Sequence, residues 1–308
     1  MCYHPTMGNA FRQKLLRWYR THGRHLPWRQ THDPYRILIA EVMLQQTQVD
    51  RVVDRYHRWL KRFPTVQSLA RASSAEVLKE WSGLGYNRRA LAVQLIAKQV
   101  VSEHHGQFPQ DVNVLMQFKG IGAYTAHAIA VFAYRQPVPL VDTNIKRVLG
   151  RIFLGYKQLE RKRDEEDVFW ELSRQVVARS KRSYDLNQGL MDFGALVCTA
   201  KQPRCPTCPM RTICKSYPAI LTAHPERLRV KTKRSEPVFF GQPRRIWRGR
   251  ILRYLHTSSS ATLQTIGRAI QPDWKANRLP WLKSVVHTLE KDQMVVRRGA
   301  TVHLTDIL

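Results

Sequence analysis

Acidic residues are scarce in this 308-residue chain: 23 Asp and Glu stand against 51 Lys and Arg, a formal net charge of +28. Such an excess favours a polyanionic partner, because neutralising phosphates with Lys and Arg releases condensed counterions. Long apolar runs are also missing. None approaches the roughly 18 residues that span a bilayer, and the opening MCYHPTMGNAFRQKLL has neither an apolar h-region nor a small-residue cleavage site. An anionic membrane surface would satisfy the same charge, but no amphipathic anchor or lipidation signal accompanies it. The expectation is a cytoplasmic protein with no membrane partner that binds nucleic acid. A hydrophobic content of 43% argues against disorder.

Strands are scarce as well. From Phe11 to about Leu196 the patterning is helical. In EVMLQQTQVDRVVDRYHRWLKRF the apolar residues Val42, Leu44, Val49, Val52, Val53, Tyr56, Trp59 and Leu60 fall close to one stripe of period 3.6. SSAEVLKEWSGLGY begins on a Ser cap at Ser73 or Ser74 and stops at Gly83. The texture changes after Cys214. Residues 224–253 hold ten Lys and Arg against two acidic residues, interrupted by Pro225, Pro237 and Pro243, and read as a basic linker. Three short helical segments and two terminal strands around RRGA then suggest a small winged-helix-like module; a helical cap is the simpler alternative. The expected fold is an all-α core at 8–220, a linker at 221–243 and an α+β module at 244–308.

Cysteine is rare, yet four of the five fall in CTAKQPRCPTCPMRTIC at 198–214, spaced C-x6-C-x2-C-x5-C. In a reducing compartment a tight cluster of this kind holds a metal more often than disulfides. Zinc ribbons present two C-x2-C knuckles and this run has one, whereas four thiolates from one loop suit a [4Fe–4S] cluster. Cys198, Cys205, Cys208 and Cys214 are the candidate ligands, with zinc as the alternative metal, and Cys2 stands outside the pattern.

FKGIGAYTAHAIAVFAY reads as a helix-hairpin-helix, in which Gly120 and Gly122 let the backbone turn sharply and aim N–H groups at a phosphate. A plain helical turn is the bland reading of the same glycines. Further on, VPLVDTNIKRVLGRIF sets Asp142 at the start of a helix, where it can cap the N-terminus. An ionised carboxylate there can also face a developing positive charge.

The order hairpin, Asp-bearing loop, then cysteine run resembles the endonuclease III superfamily of DNA glycosylases, over roughly residues 11–217. LPWR at 26–29, DPYRILIAEVMLQQTQV at 33–49, GLGY at 83–86 and NQGLMDFGALVC at 187–198 are most similar to its adenine DNA glycosylase (MutY) branch. That resemblance implies a monomeric base-excision-repair enzyme acting on mismatched double-stranded DNA. Glu41 would protonate adenine at N7, and Asp142 would stabilise the oxocarbenium-like sugar. Asn144 would orient the water and the aspartate. Gln46, Thr47 and Tyr86 match positions that wedge into the base stack and touch the opposite purine. Trp28, Arg29, Leu44 and Gln188 match base-pocket or DNA-contacting positions, and Gly120 and Gly122 the phosphate-binding hairpin. Tyr124 occupies the position of the lysine nucleophile of lyase members, so a monofunctional hydrolase without efficient strand cleavage is implied. Lys119 lies outside that role.

Two departures stand out. The family's V-D-G-N reads VDTN here, with Thr143, and residues 220–308 lack the length and strand pattern of a NUDIX-like domain. A related branch that removes thymine or uracil opposite guanine shares most of these features and is the alternative reading. A non-catalytic DNA-binding protein on the same scaffold is another, weighed against by the presence of both Glu41 and Asp142. In the C-terminal module Lys283 and His287 would face a groove, with Arg297 and Arg298 on the wing. Lys201, Arg204, Arg211 and Lys215 would bring the cysteine loop to the DNA backbone. The expected location is the nucleoid of a bacterium or archaeon.

Overall fold

The computed structural model describes residues 5–157, 165–177, 180–222 and 236–305. Cys2 and residues 223–235 of the expected linker lie outside the described residues. Eleven helices are described in the first 222 residues: α1 (Pro5–His22), α2 (Pro34–Leu44), α3 (Val49–Arg62), α4 (Val66–Arg71), α5 (Ser74–Trp81), α6 (Arg88–Glu103), α7 (Val112–Gln117), α8 (Ala123–Phe132), α9 (Thr143–Leu149), α10 (Glu166–Val177) and α11 (Ser183–Leu196). Among the described residues no strand precedes Val238. No described helix is long and apolar enough to cross a membrane.

Local chemistry sets several boundaries. Ser73 caps α5 in a box with Glu76, and Thr65 caps α4 in a box with Ser68. The apolar stripe that runs through 42–60 is not one helix. It breaks at Gln45–Gln48, where Gln46 takes a left-handed φ of 60° and α3 restarts at Val49. Periodicity could not reveal this break, because four inserted residues are close to one helical turn and keep the stripe in phase.

The chain falls into two compact units, which divide the sequence differently from a simple cut near residue 220. The first comprises 1–37, 110–116 and 121–232. Phe11 packs edge-on against Phe153 (5.2 Å) and Trp18 against Phe193 (5.1 Å), with Ile129, Val148 and Phe169 fully buried around them. The second comprises 38–109, 117–120 and 233–308. Trp59 is its centre, in edge contact with Phe63 at 5.0 Å and Trp81 at 5.4 Å.

The C-terminal part of the second unit runs α12 (Arg244–Ser258), β3 (Ser260–Thr262), α13 (Leu263–Ile270), α14 (Leu279–Lys291), β4 (Val295–Arg298) and β5 (Thr301–Leu304). The sheet is antiparallel in the order β3-β5-β4, which is the topology of a winged helix. Trp247, Ile251, Ile266, Leu282, Val286 and Val302 form its core. Two details differ from the sequence reading. Arg297 and Arg298 belong to strand β4, paired with Val302 and Thr301, so the turn is only Gly299–Ala300. Residues 238–243, assigned to the linker, form a hairpin of β1 (Val238–Phe239) and β2 (Gln242–Pro243), joined by Phe240 and Gly241 in left-handed conformation. The dense prolines and arginines hid it, because a strand of two residues carries no periodicity. On α14, Lys283 and His287 are exposed, and His287 Nδ1 lies 3.8 Å from Glu290.

Candidate active site

Asp142 is the N-cap of α9, as its position in the sequence suggested. Its Oδ1 accepts from the Ile145 N–H at 2.6 Å, and its Oδ2 accepts from Asn144 Nδ2 at 3.1 Å. Burial raises the carboxyl pKa above its ordinary value; the Ile145 and Asn144 hydrogen bonds and the Arg147 charge oppose that rise. The result is a desolvated carboxylate held in one orientation. Thr143, in place of the family's glycine, is exposed and leaves this arrangement intact.

The orientation has a second layer. Arg147 Nη2 donates to Asn144 Oδ1 at 2.7 Å and to the Gly194 carbonyl at 2.6 Å, and its Nε donates to the Cys198 carbonyl at 2.6 Å. Gly194 is the point of closest approach: a Cβ there would sit 2.7 Å from Asn144 Cβ and 3.2 Å from its carbonyl oxygen. Gly194→Ala is therefore expected to push Asn144 and the Asp142 carboxyl out of register. It should lower the rate of the chemical step at least about tenfold while the chain stays folded, a 1 Å displacement being worth roughly 10²-fold. Parallel single-turnover and circular-dichroism measurements check it; an undisturbed rate would show that α11 does not set the carboxylate.

The cysteine run is held by the same arginine-rich stretch. A π-turn at Gly150–Leu154 carries Arg151, which is buried and donates to Cys198 Sγ (3.5 Å), the Thr199 carbonyl (2.7 Å) and the Ala200 carbonyl (3.1 Å). Cys198, Cys205, Cys208 and Cys214 line one small pocket with Phe193, Met210 and Ile220. Burial raises the Cys208 thiol to about 12, with smaller contributions from neighbouring sulfurs, and it raises Cys205 and Cys214 as well. Four sulfur donors lining one apolar pocket, Cys198 buried and the other three half-buried, fit a metal centre, whose positive charge would draw off the protons. Among the described residues, no three His, Cys, Asp or Glu side chains gather around a point suited to one ion.

In the second unit Glu41 lies on α2 and is 5% exposed. Gln46 and Thr47 occupy the break that follows Leu44, and Tyr86 stands 57% exposed in a second turn. Gln46 (φ = 60°) and Tyr86 (φ = 49°) are both left-handed, a conformation that costs non-glycine residues energy and is retained where surroundings enforce it. Arg89 enforces it here. Its Nη1 donates to the Val42 carbonyl at 2.8 Å and to the Gln45 carbonyl, its Nη2 donates to the Gly85 carbonyl at 3.2 Å, and its guanidinium lies over the rings of Trp81 and Tyr86. In the hairpin Gly120 has φ = 111°, and a Cβ there would stand 3.1 Å from Ala92 Cβ. Gly122 is the extended N-cap of α8, without a side-chain cap.

Comparison with known proteins agrees with this geometry. Residues 39–175 match the family described as HhH-GPD superfamily base excision DNA repair protein. The thymine/uracil-DNA glycosylase of Pyrobaculum aerophilum is 36% identical over 211 residues, covering 67% of this chain and 91% of that protein. The chain belongs to the HhH-GPD superfamily. Within that superfamily the adenine DNA glycosylase of Mycobacterium tuberculosis (strain ATCC 25618 / H37Rv) is 42% identical over 200 residues, or 64% of each chain. The match thus spans a little under two thirds of that relative's length. The solved structure of a thermostable thymine-DNA glycosylase superposes with a TM-score of 0.64 at 29% identity, covering 69% of this chain and 97% of that one.

The remaining HhH-GPD positions are distributed as follows. Trp28 and Gln188 are buried, and the Gln188 Oε1 has no hydrogen-bond partner among the described residues. Arg29 is tied to Asp192 by two bonds of 2.7 and 2.8 Å, and Arg24 reaches the same carboxylate. Tyr124 Oη lies 3.9 Å from Met191 Sδ. Sequence reasoning did not find Arg89, Arg147, Arg151 or Asp192. In a chain with 51 basic residues an isolated arginine carries no signal, and the one usable clue was Asp192 inside the apolar run GLMDFG.

Proposed function

We propose that this HhH-GPD protein is a monofunctional DNA glycosylase that removes adenine mispaired with 8-oxoguanine or guanine from double-stranded DNA. The observation that carries it is the Asp142 carboxylate, desolvated and fixed by Ile145, Asn144 and Arg147. Its support in sequence is the 42% identity to an adenine DNA glycosylase. In this reading Glu41 delivers a proton to N7 of the flipped adenine. The C1′–N9 bond then breaks with its electron pair passing to the base, and the oxocarbenium-like sugar is stabilised by the Asp142 carboxylate. Water adds at C1′ and releases a proton, with Asn144 holding the carboxylate in place. The buried Gln188 Oε1, an acceptor without a donor among the described residues, suits an exocyclic amino group. Tyr124 offers no amine for a Schiff base, so the strand stays intact.

Gln46, Thr47 and Tyr86 would enter the stack, and the Gly120–Gly122 hairpin would hold a phosphate. Cys198, Cys205, Cys208 and Cys214 would hold a [4Fe–4S] cluster, which when bound braces the loop; four thiols lining one apolar pocket, in a run with a single C-x2-C, support this over zinc. A monomer acting on DNA in the cytoplasm fits the charge of +28. The relation to the Pyrobaculum thymine/uracil-DNA glycosylase, of which the chain covers 91%, sustains a second reading on T:G and U:G pairs. Single-turnover base release from A:8-oxoguanine, A:G, T:G and U:G duplexes decides between them. Adenine release, fastest opposite 8-oxoguanine, is the expected result. Release of thymine or uracil alone moves the protein to the other branch, and no release from any duplex overturns both.

A further inference from the structure

The hairpin of β1 and β2 carries an aromatic side chain where turn chemistry does not call for one. Its two turn residues, Phe240 and Gly241, both have positive φ, at 50° and 72°. A two-residue turn of that kind favours Asn-Gly, and a bulky residue in its first position is strained. Phe240 is also 46% exposed. Val238 in the same hairpin and Ile246 in the first turn of α12 are exposed with it. Strain held at an exposed aromatic residue is characteristic of a position that meets a ligand.

The ring is fixed from behind. It meets Trp281 at 4.8 Å and 90°, and Trp247 at 6.1 Å and 87°, and the two tryptophans meet each other edge-on at 5.2 Å. Trp247 Nε1 donates to the Phe239 carbonyl at 2.8 Å, and the Arg244 N–H donates to the Pro237 carbonyl at 2.9 Å, so the hairpin is tied to the start of α12. The surroundings are cationic. Arg278, the N-cap of α14, lies over the Phe240 ring at 4.5 Å, and Arg250 lies over Trp247 at 4.7 Å. Residues 236–281 hold eight Lys and Arg against two acidic residues, Glu236 and Asp273, and Glu236 is taken up by Arg245. Among the described residues Arg244, Lys275 and Arg278 have no carboxylate partner.

An exposed aromatic ring among unpaired cations matches single-stranded nucleic acid, whose bases offer free π-faces while its phosphates meet the charge. In a duplex the bases are stacked on one another and offer no such face. The surface around Lys283 and His287, expected to meet a duplex, carries the Glu290 carboxylate, 2.8 Å from Arg297 and 3.8 Å from His287. We propose that the 238–243 hairpin is a stacking site for an unpaired base of single-stranded DNA, with Phe240 as the platform and Arg244, Lys275 and Arg278 on the flanking phosphates. The site lies outside the machinery of base excision and does not depend on that reading.

The test is fluorescence anisotropy of the full chain with a labelled oligothymidylate and with an abasic strand of equal length and charge. The native protein is expected to bind the oligothymidylate at least about fivefold more tightly, the lower end of what one stacked base contributes. Phe240→Asn, which suits the turn, and Phe240→Leu, which still covers the tryptophans, should each erase that difference. Arg278→Gln should weaken binding of both strands. A native chain that binds the two strands alike overturns the site, and so does a preference that survives Phe240→Asn. A blunt duplex whose affinity falls with Phe240→Asn as far as that of the oligothymidylate overturns the single strand as the ligand. Oligothymidylate holds no adenine and no mispair, and Phe240→Asn should leave base release from a blunt duplex unchanged. Failure of this site and failure of the proposed function are therefore read separately.

Discussion

Asp142→Asn is expected to slow base release by about 10²–10³-fold, the scale on which loss of one preorganised electrostatic group acts. The amide keeps the shape of the cap and its oxygen accepts the Ile145 N–H, while its nitrogen cannot accept from Asn144 Nδ2, so the charge and that one hydrogen bond are lost. The same variant should melt at a higher temperature near neutral pH. The reason is linkage: burial raises the folded-state pKa of Asp142 above its ordinary value, so the ionised form is disfavoured in the fold. That penalty is absent below the unfolded pKa and grows as pH rises through the raised window. The stability gap between variant and native chain should therefore open with increasing pH and close in acid. Base release in the native chain should fall on the acid side at a pH above that of an ordinary aspartate, as Asp142 takes up its proton. Thermal melts and single-turnover rates across pH check both. A variant as unstable as it is inactive would mean that the carboxylate acts as a cap alone.

Among the ion pairs of the described residues, Asp192→Ala is expected to be the most destabilising single change, costing roughly 3–5 kcal/mol, because it strands buried cations. The Asp192 side chain is 0% exposed, and it holds both Arg29, 8% exposed, and Arg24, 27% exposed. Burial acts against its ionisation, but the hydrogen bonds and charge of Arg29, then of Arg24, outweigh it and hold the pKa below its ordinary value. Its contribution is therefore full above the unfolded pKa and is lost as pH falls through the depressed folded one. Arg24→Ala should cost much less, since the bidentate Arg29 pair remains. Urea midpoints of the two variants and the native chain measure the difference. Equal losses would contradict the ranking by burial.

What the sequence made legible was local. Ser73 and Asp142 cap the helices they precede, and the paired glycines of GIG lie between two helices. The helix–strand order after residue 243 follows from three short amphipathic segments and a terminal ribbon. What stayed hidden was of two kinds. One was irregularity in phase with the helical repeat, as at Gln45–Gln48, where the apolar stripe continues across a break. The other was pairing over long separations: Arg29 finds Asp192 across 163 residues, and Arg147 reaches Cys198 across 51. No spacing rule links such partners, because the fold rather than the local chain brings them together. The cysteine run was legible because all four sulfurs lie within one loop.

Arg89 ties two strained turns to one side chain. With its donors on the carbonyls of Val42, Gln45 and Gly85, the turns bearing Gln46 and Tyr86 cannot change their separation without breaking those bonds. They behave as a single stiff tip rather than two fingers, and the entropy of aligning them is lost when the chain folds rather than when it meets a ligand. Under the proposed function such a tip would test each step of a helical polymer with the same shape. It would discriminate by how readily that step deforms, and a weakened step would yield to it first.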